Sequence, residues 1–187
     1  MKNNLQLSII DNFFTEDIHK EIYDILIHKS QWSFTGGNIN NPFWHIDNLE
    51  KEKYFNNFLL NIIKQKMEIT DDFSVGRIYT NGQTAGQCGY PHTDDGHLTF
   101  LYFPNLEWEI DWQGHLFFVN RTSPIFGTKD REDWDYIHDE NDEVSQVIKY
   151  KPNRAVLFPS HIVHYADAPH RLFNWLRLSL AYKFDKK

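Results

Sequence analysis

Apolar positions along the 187-residue chain change their spacing once, from steps of three and four to steps of two. Leu5, Leu7 and Ile9 predict one short strand at the start. Thr15 then offers a capping oxygen, Glu16 and Asp17 sit where a helix dipole favours carboxylates, and Ile18, Ile22, Ile25 and Leu26 share one helical face. A second helix is predicted from near Asn48 to Lys66, with Tyr54, Phe55, Phe58, Leu59, Ile62 and Ile63 at helical intervals. Between the helices, the Thr-Gly-Gly-Asn-Ile-Asn-Asn-Pro stretch at 35–42 is rich in turn formers and is expected as a loop.

From Phe73 onward the period is two. Six runs read as strands, at 73–80, 97–103, 115–120, 144–150, 154–158 and 177–184, with Asn-Gly, Pro-Asn and Gly-containing turns between them. Helices followed by strands imply segregated elements rather than alternating βαβ units. The expected architecture is mainly β with N-terminal helices. Helical support at about 1–70 backs a jelly-roll core at about 73–187, in one domain spanning 1–187.

Composition narrows the class. Hydrophobic residues make up 41% and charged residues 24%, as in folded soluble chains, and aromatic residues at 16% predict a ring-rich core. A net charge of -7 without Lys/Arg clusters argues against a nucleic-acid partner. Cys88 is the single cysteine, so no intrachain disulfide is possible. With no signal-like segment and no apolar run of membrane length, the expected location is cytoplasmic, with no membrane partner. The 121–143 segment holds eight acidic residues. A solvated surface loop is the simpler reading, while Trp134, Tyr136 and Ile137 keep a substrate-facing lid in play.

Chemistry concentrates in Tyr-Pro-His-Thr-Asp-Asp-Gly-His at 90–97. Ten histidines in a chain this rich in aspartate yield about one His-x-Asp by chance, so context must discriminate. In extended backbone, residues two apart face one side, so His92 and Asp94 can converge on an ion while Asp95 points away. His45 and Asp47 repeat the pattern in the predicted connection between helices, outside the β region, and His19 and Glu21 lie on a helix, where a separation of two splays them. One imidazole and one carboxylate need a third ligand, and two histidines with one carboxylate form the facial triad of non-haem Fe(II) oxygenases. Downstream candidates are His97, His115, His138, His161, His164 and His170. His97 and His115 sit in apolar runs, whereas His161 and His164 follow a strand leaving the core.

The order His-x-Asp, an apolar strand, Trp112-x-Gly114-x-Leu116, Asn-Arg-Ala-Val-Leu-Phe-Pro, a distal histidine and a closing Arg-Leu-Ser-Leu resembles the Fe(II)/2-oxoglutarate-dependent oxygenases of the prolyl-4-hydroxylase-like group. The likeness covers roughly Tyr79 to Phe184, and the Ile-Ile-Asp-Asn-Phe-Phe-Thr-Glu opening is also similar. It implies iron on His92, Asp94 and His164, with His161 the lesser choice for the distal ligand. It further implies that Arg177, with Ser179 on the same strand face, grips the distal carboxylate of 2-oxoglutarate, Arg171 being the competing position. Tyr79 resembles the tyrosine that hydrogen-bonds the same carboxylate. Where the family often has Gly-Gly-Glu, this chain reads Gln113-Gly114-His115, a departure that concerns packing or, alternatively, substrate contact.

The implied activity is that of an oxidoreductase, a dioxygenase hydroxylating a peptidyl proline or a small molecule. Fe(II), 2-oxoglutarate and dioxygen are consumed or held, succinate and CO2 are released, and ascorbate is a possible reductant. Two other classes compete. A cupin-like metal enzyme would need the metal but not the Arg177/Ser179 clamp, and a non-catalytic jelly-roll binding module would need neither.

Overall fold

The computed structural model describes residues 7–38, 41–120 and 143–187. Strand β1 is Ser8–Ile10 and helix α1 is Glu16–Asp24. Thr15 caps α1 by accepting from the Ile18 amide at 3.4 Å, and a π-helical turn, Ile25–Lys29, extends it. Strands β2 (Ser33–Asn38) and β3 (Asn41–Ile46) follow, then a 3₁₀ turn at Leu49–Lys51 and a π-helical stretch, Tyr54–Leu59, that runs into helix α2 (Leu60–Lys66).

The remaining strands are β4 (Phe73–Gln83), β5 (Leu98–Tyr102), β6 (Leu116–Asn120), β7 (Glu143–Ile148), β8 (Ala155–Pro159), β9 (His164–Ala166) and β10 (Arg177–Lys186). Every period-two run of the sequence forms a strand. Leu5 and the possible lid at 121–142 lie outside the described residues.

Two sheets result, β1-β8-β5-β10-β4-β3-β2 and β7-β6-β9, and all pairings are antiparallel. An isolated bridge from His92 to His164 adds the chain at 92 as a further rung beside β9. The inner four strands β8-β5-β10-β4 thus oppose β7-β6-β9 and the rung at 92, the strand pairing of a double-stranded β-helix, or jelly roll.

Alternation along β10 shows how the layers are built. Leu180, Tyr182 and Phe184 pack in one core with Ile22 and Leu26 of the first helical segment and with Phe55, Leu59 and Ile63 of the second. Each such fully buried side chain contributes about 1.5–3 kcal/mol. Arg177, Ser179 and Lys183 face the other way, into the space between the sheets. A second core of Phe103, Leu116, Phe118, Ile148, Tyr150, Val156 and Phe158 closes that space. No helix among the described residues is long and apolar enough to cross a membrane.

The stretch at 35–42, expected as a loop, instead lies largely in the β2/β3 hairpin. Pairing within the hairpin, Gly36 opposite Phe43 and Gly37 opposite Pro42, outweighs its local turn preference, and β3 joins the edge of β4 through Trp44 opposite Gly82 and His45 opposite Asn81. Phe34 and Trp44 meet across the hairpin with ring centroids 4.9 Å apart and planes tilted by 50°. His45 is consequently in a strand, contrary to its expected place outside the β region, and it pairs with Asp47 at 2.8 Å.

Asn153 clamps the N-terminal layer to the barrel. It adopts a left-handed φ of 58°, which asparagine tolerates. Its Oδ1 accepts from the Phe14 amide at 2.9 Å and the Tyr102 hydroxyl at 3.0 Å, and its Nδ2 donates to the Phe14 carbonyl at 2.8 Å. Asn153→Ala removes the side-chain partner of the Phe14 amide and carbonyl and one of the two partners of the Tyr102 hydroxyl, which keeps His19, so unfolding free energy should fall by about 2–4 kcal/mol. The melting temperature should drop by about 5–15 °C. Urea titration and a thermal melt measure both, and an unchanged melt would remove the clamp.

Candidate metal centre

His92 and His164 are brought together by backbone before any side chain acts. Reciprocal amide-to-carbonyl bonds of 3.0 and 2.9 Å join them as one antiparallel rung, which sets their imidazoles 4.6 Å apart. The Asp94 amide donates to the Ser160 carbonyl at 2.9 Å, so the loop leaving the rung carries its carboxylate back toward both rings. Asp95 is exposed, as alternation predicts.

Hydrogen bonds set the tautomers. Nδ1 of His92 donates to the Tyr90 carbonyl at 2.6 Å, and Nδ1 of His164 donates to the Ile162 carbonyl at 2.8 Å. A carbonyl accepts only from a protonated nitrogen, so in each neutral ring Nε2 is left with a lone pair. Those Nε2 atoms stand 3.5 Å from Oδ1 and 3.3 Å from Oδ2 of Asp94. Among the described residues, these three side chains form a group whose ligand atoms all lie within 4.8 Å of one another.

Electrostatics agree with a cation-binding role. Burial pushes the Asp94 carboxyl upward, but His164, His92 and Lys183 together outweigh it and hold it well below the usual carboxylate range. Burial lowers the His164 imidazole and outweighs the pull of Asp94. An ionised carboxylate and a neutral imidazole are the forms in which these groups ligate metals. Two imidazoles, each held by a backbone acceptor behind it, and one carboxylate suit Fe(II) and leave further positions for exogenous ligands.

Arg177 opens β10 elsewhere on the same cavity and is 1% exposed. Its Nε donates to the Gly114 carbonyl at 2.7 Å and its Nη1 to Gln83 Oε1 at 2.9 Å, and it lies over the Tyr150 ring at 5.0 Å. These two hydrogen bonds use two of its five N–H donors, both on neutral acceptors. Among the described residues no carboxylate forms an ion pair with it. A guanidinium buried with no carboxylate in ion-pair contact is costly, and the Asp167 carboxylate acts on it only from beyond that distance. Gly114 makes the approach possible. Its φ is +72°, and a Cβ there would lie 2.9 Å from Trp108 and 3.0 Å from Cδ of Arg177, which gives the Trp-x-Gly pattern a physical reason.

One cavity of about 560 Å³ is lined by His92, Asp94, His164, Arg177, Ser179 and Tyr79, the full set of site residues read from the sequence. Gln83 is the ladder partner of Arg177, whereas Tyr79 pairs with Ala181, its ring between Arg77 at 4.4 Å and the Lys183 ammonium at 5.6 Å. His161 and Arg171 are exposed and line no part of this cavity. His45 and Asp47 sit on its wall 2.8 Å apart, with Arg77 2.7 Å from the same carboxylate. The ring of His115 accepts from the Tyr150 amide, a packing role.

Two further residues were not legible as site residues, Gln83 and Lys183. Both carry a signal in retrospect, since Gln83 shares the parity of Tyr79 on β4 and Lys183 that of Arg177 and Ser179 on β10. A lone glutamine or lysine near a strand end defaults to a surface reading.

By sequence, the chain matches no family model and no curated protein. By structure, it resembles a Pseudomonas putida prolyl-4-hydroxylase with a TM-score of 0.58 at 14% identity, over 98% of this chain and 94% of that one. A 2OG-Fe(II) oxygenase family member from Burkholderia pseudomallei aligns with a TM-score of 0.63 at 11% identity, over 97% and 84% of the two chains. The epimerase SnoN, solved with Fe3+, alpha ketoglutarate and nogalamycin RO, aligns with a TM-score of 0.68 at 10% identity, over 97% and 79%. At such identities the likeness establishes the fold.

Proposed function

We propose that this chain, which has the fold of the Fe(II)/2-oxoglutarate oxygenases, is itself a 2-oxoglutarate-dependent dioxygenase that hydroxylates a peptidyl proline or a small molecule. The observation that carries the reading is Arg177, a buried cation with no carboxylate partner among the described residues, in one cavity with a tautomer-locked His92/Asp94/His164 group. A cupin-like metal enzyme has no use for that cation, and a binding module has no use for the triad.

The residues divide the work. His92, Asp94 and His164 hold iron through two Nε2 lone pairs and a carboxylate. Arg177 and Ser179 receive the distal carboxylate of 2-oxoglutarate, and Tyr79 lines the cavity wall as a further hydroxyl donor. Gln83 and the Gly114 carbonyl hold the guanidinium so that the co-substrate meets a fixed fork. Leu101 and Leu116 supply apolar wall and reduce water access. Iron so held supplies the oxidation, in which 2-oxoglutarate and dioxygen give succinate and CO2 while one oxygen atom enters a substrate C–H bond.

Anaerobic addition of Fe(II) and 2-oxoglutarate should produce a visible charge-transfer band, and admitting air should release succinate. Both should persist in His161→Ala. Folded, iron-loaded protein without the band would leave the oxygenase reading untenable. Screening succinate release across prolyl peptides and small metabolites then identifies the substrate class.

A further inference from the structure

The Asp94 carboxylate has two oxygens, and their surroundings differ. Oδ2 accepts the Thr99 hydroxyl at 2.8 Å and is ion-paired with the Lys183 ammonium. Oδ1 faces the Nε2 of His92 at 3.5 Å, while Oδ2 carries those two donors in addition to standing 3.3 Å from the Nε2 of His164. Lys183 is 3% exposed, and its Nζ also donates to Thr99 Oγ1 at 3.2 Å. Its place is set by the sheet. On β10 it lies opposite Arg77 of β4 and Thr99 of β5, on the face that carries Arg177 and Ser179. Desolvating an ammonium costs several kcal/mol, and a hydrophobic residue would fill a strand interior at less cost.

We propose that Lys183 is a positioning residue for the metal centre, which with Thr99 holds Oδ2 of Asp94 so that Oδ1, the oxygen without those donors, is the one offered to iron. The inference rests on the oxygenase reading. A carboxylate free to turn both oxygens toward the metal would fill a coordination position, and the proposed reaction needs three positions open, two for 2-oxoglutarate and one for dioxygen. The lysine therefore preserves room at the metal rather than affinity for it. Thr99 is buried and bonded in turn to Ser160 at 3.0 Å, so the donors on Oδ2 are themselves anchored.

The test separates iron retention from co-substrate binding. In Lys183→Met, anaerobic Fe(II) titration should give affinity within a few-fold of the parent protein. 2-Oxoglutarate should bind about tenfold or more weakly, with a weakened charge-transfer band. Lys183→Arg, which restores a cation, should recover the band, a rescue that loss of packing would not explain. The proposal is overturned if folded Lys183→Met binds 2-oxoglutarate like the parent, or if it loses iron altogether, which would make the lysine a requirement for holding the metal. Should Lys183→Met fail to fold, Thr99→Val asks the same question. A weakening of about threefold supports the role and unchanged affinity removes it. Parent protein that takes up iron yet shows no band defeats the oxygenase reading itself, an outcome recognisable without any Lys183 variant.

Discussion

Asp94→Asn protein should fold, bind Fe(II) more than about 100-fold less tightly, and release no succinate. The magnitude exceeds the 10–100-fold typical of a residue behind the ligands because Asp94 is proposed as a ligand itself and is the one carboxylate of the His92/Asp94/His164 group. Asparagine keeps the size and can still accept from Thr99, so the loss reports charge rather than collapse. Alanine is the poorer probe. It would leave the buried Lys183 ammonium with neither counter-charge nor acceptor, whereas asparagine removes the charge but keeps an amide oxygen for Lys183 and Thr99, and breaking such a pair from one side costs about 3–5 kcal/mol. Iron content after gel filtration, far-UV circular dichroism and succinate release distinguish the outcomes. His92→Ala and His164→Ala should match Asp94→Asn in iron loss. An Asp94→Asn protein that keeps both iron and succinate release would remove the triad.

The second large effect is at the opposite end of the cavity. Arg177→Met should keep iron and weaken 2-oxoglutarate binding by about 10²–10⁴-fold, the loss of two charge-assisted hydrogen bonds worth about 1.5–3 kcal/mol each. Methionine fills most of the vacated volume, which limits repacking against Tyr150 and Phe103. Arg177→Lys should recover part of the affinity, since a point charge replaces a fork. Arg171→Ala should leave 2-oxoglutarate binding untouched, because that side chain is exposed and lines no part of the cavity. The charge-transfer band, titrated with 2-oxoglutarate at saturating iron, reads all four proteins. If Arg171→Ala rather than Arg177→Met shifts that titration, the clamp is misplaced.

How legible these features were depended on how local their cause is. The parity of His92 and Asp94, the cap at Thr15 and the six period-two runs are written in adjacent residues, and the structure reproduces them. The β2/β3 hairpin was not legible, because its glycines and asparagines favour a turn locally. The edge of β4 on which the hairpin docks, through Trp44, His45 and Ile46, comes far later in the chain. Strand β9, three residues long, is too short to show a period at all. His164 could be preferred over His161 only through resemblance, since two histidines three apart look alike until the rung with His92 selects one. Lys183 and Gln83 stayed hidden for a related reason. Their significance lies in which residue stands across the sheet, and a single chain read in order does not display its cross-strand neighbours.

Strand β10 has a consequence for how the protein can fail. It runs between β5 and β4, carrying Arg177, Ser179 and Lys183 on one side and Leu180, Tyr182 and Phe184 on the other. A slip of one residue would exchange these sets, driving two cations into the helix-facing core and stranding three large apolar side chains in the polar cavity. Misregistered chains would thus be at once inactive and unstable, so quality control by proteolysis would remove the same molecules that could not turn over. Proofreading of the fold and proofreading of the active site are, in this strand, one event.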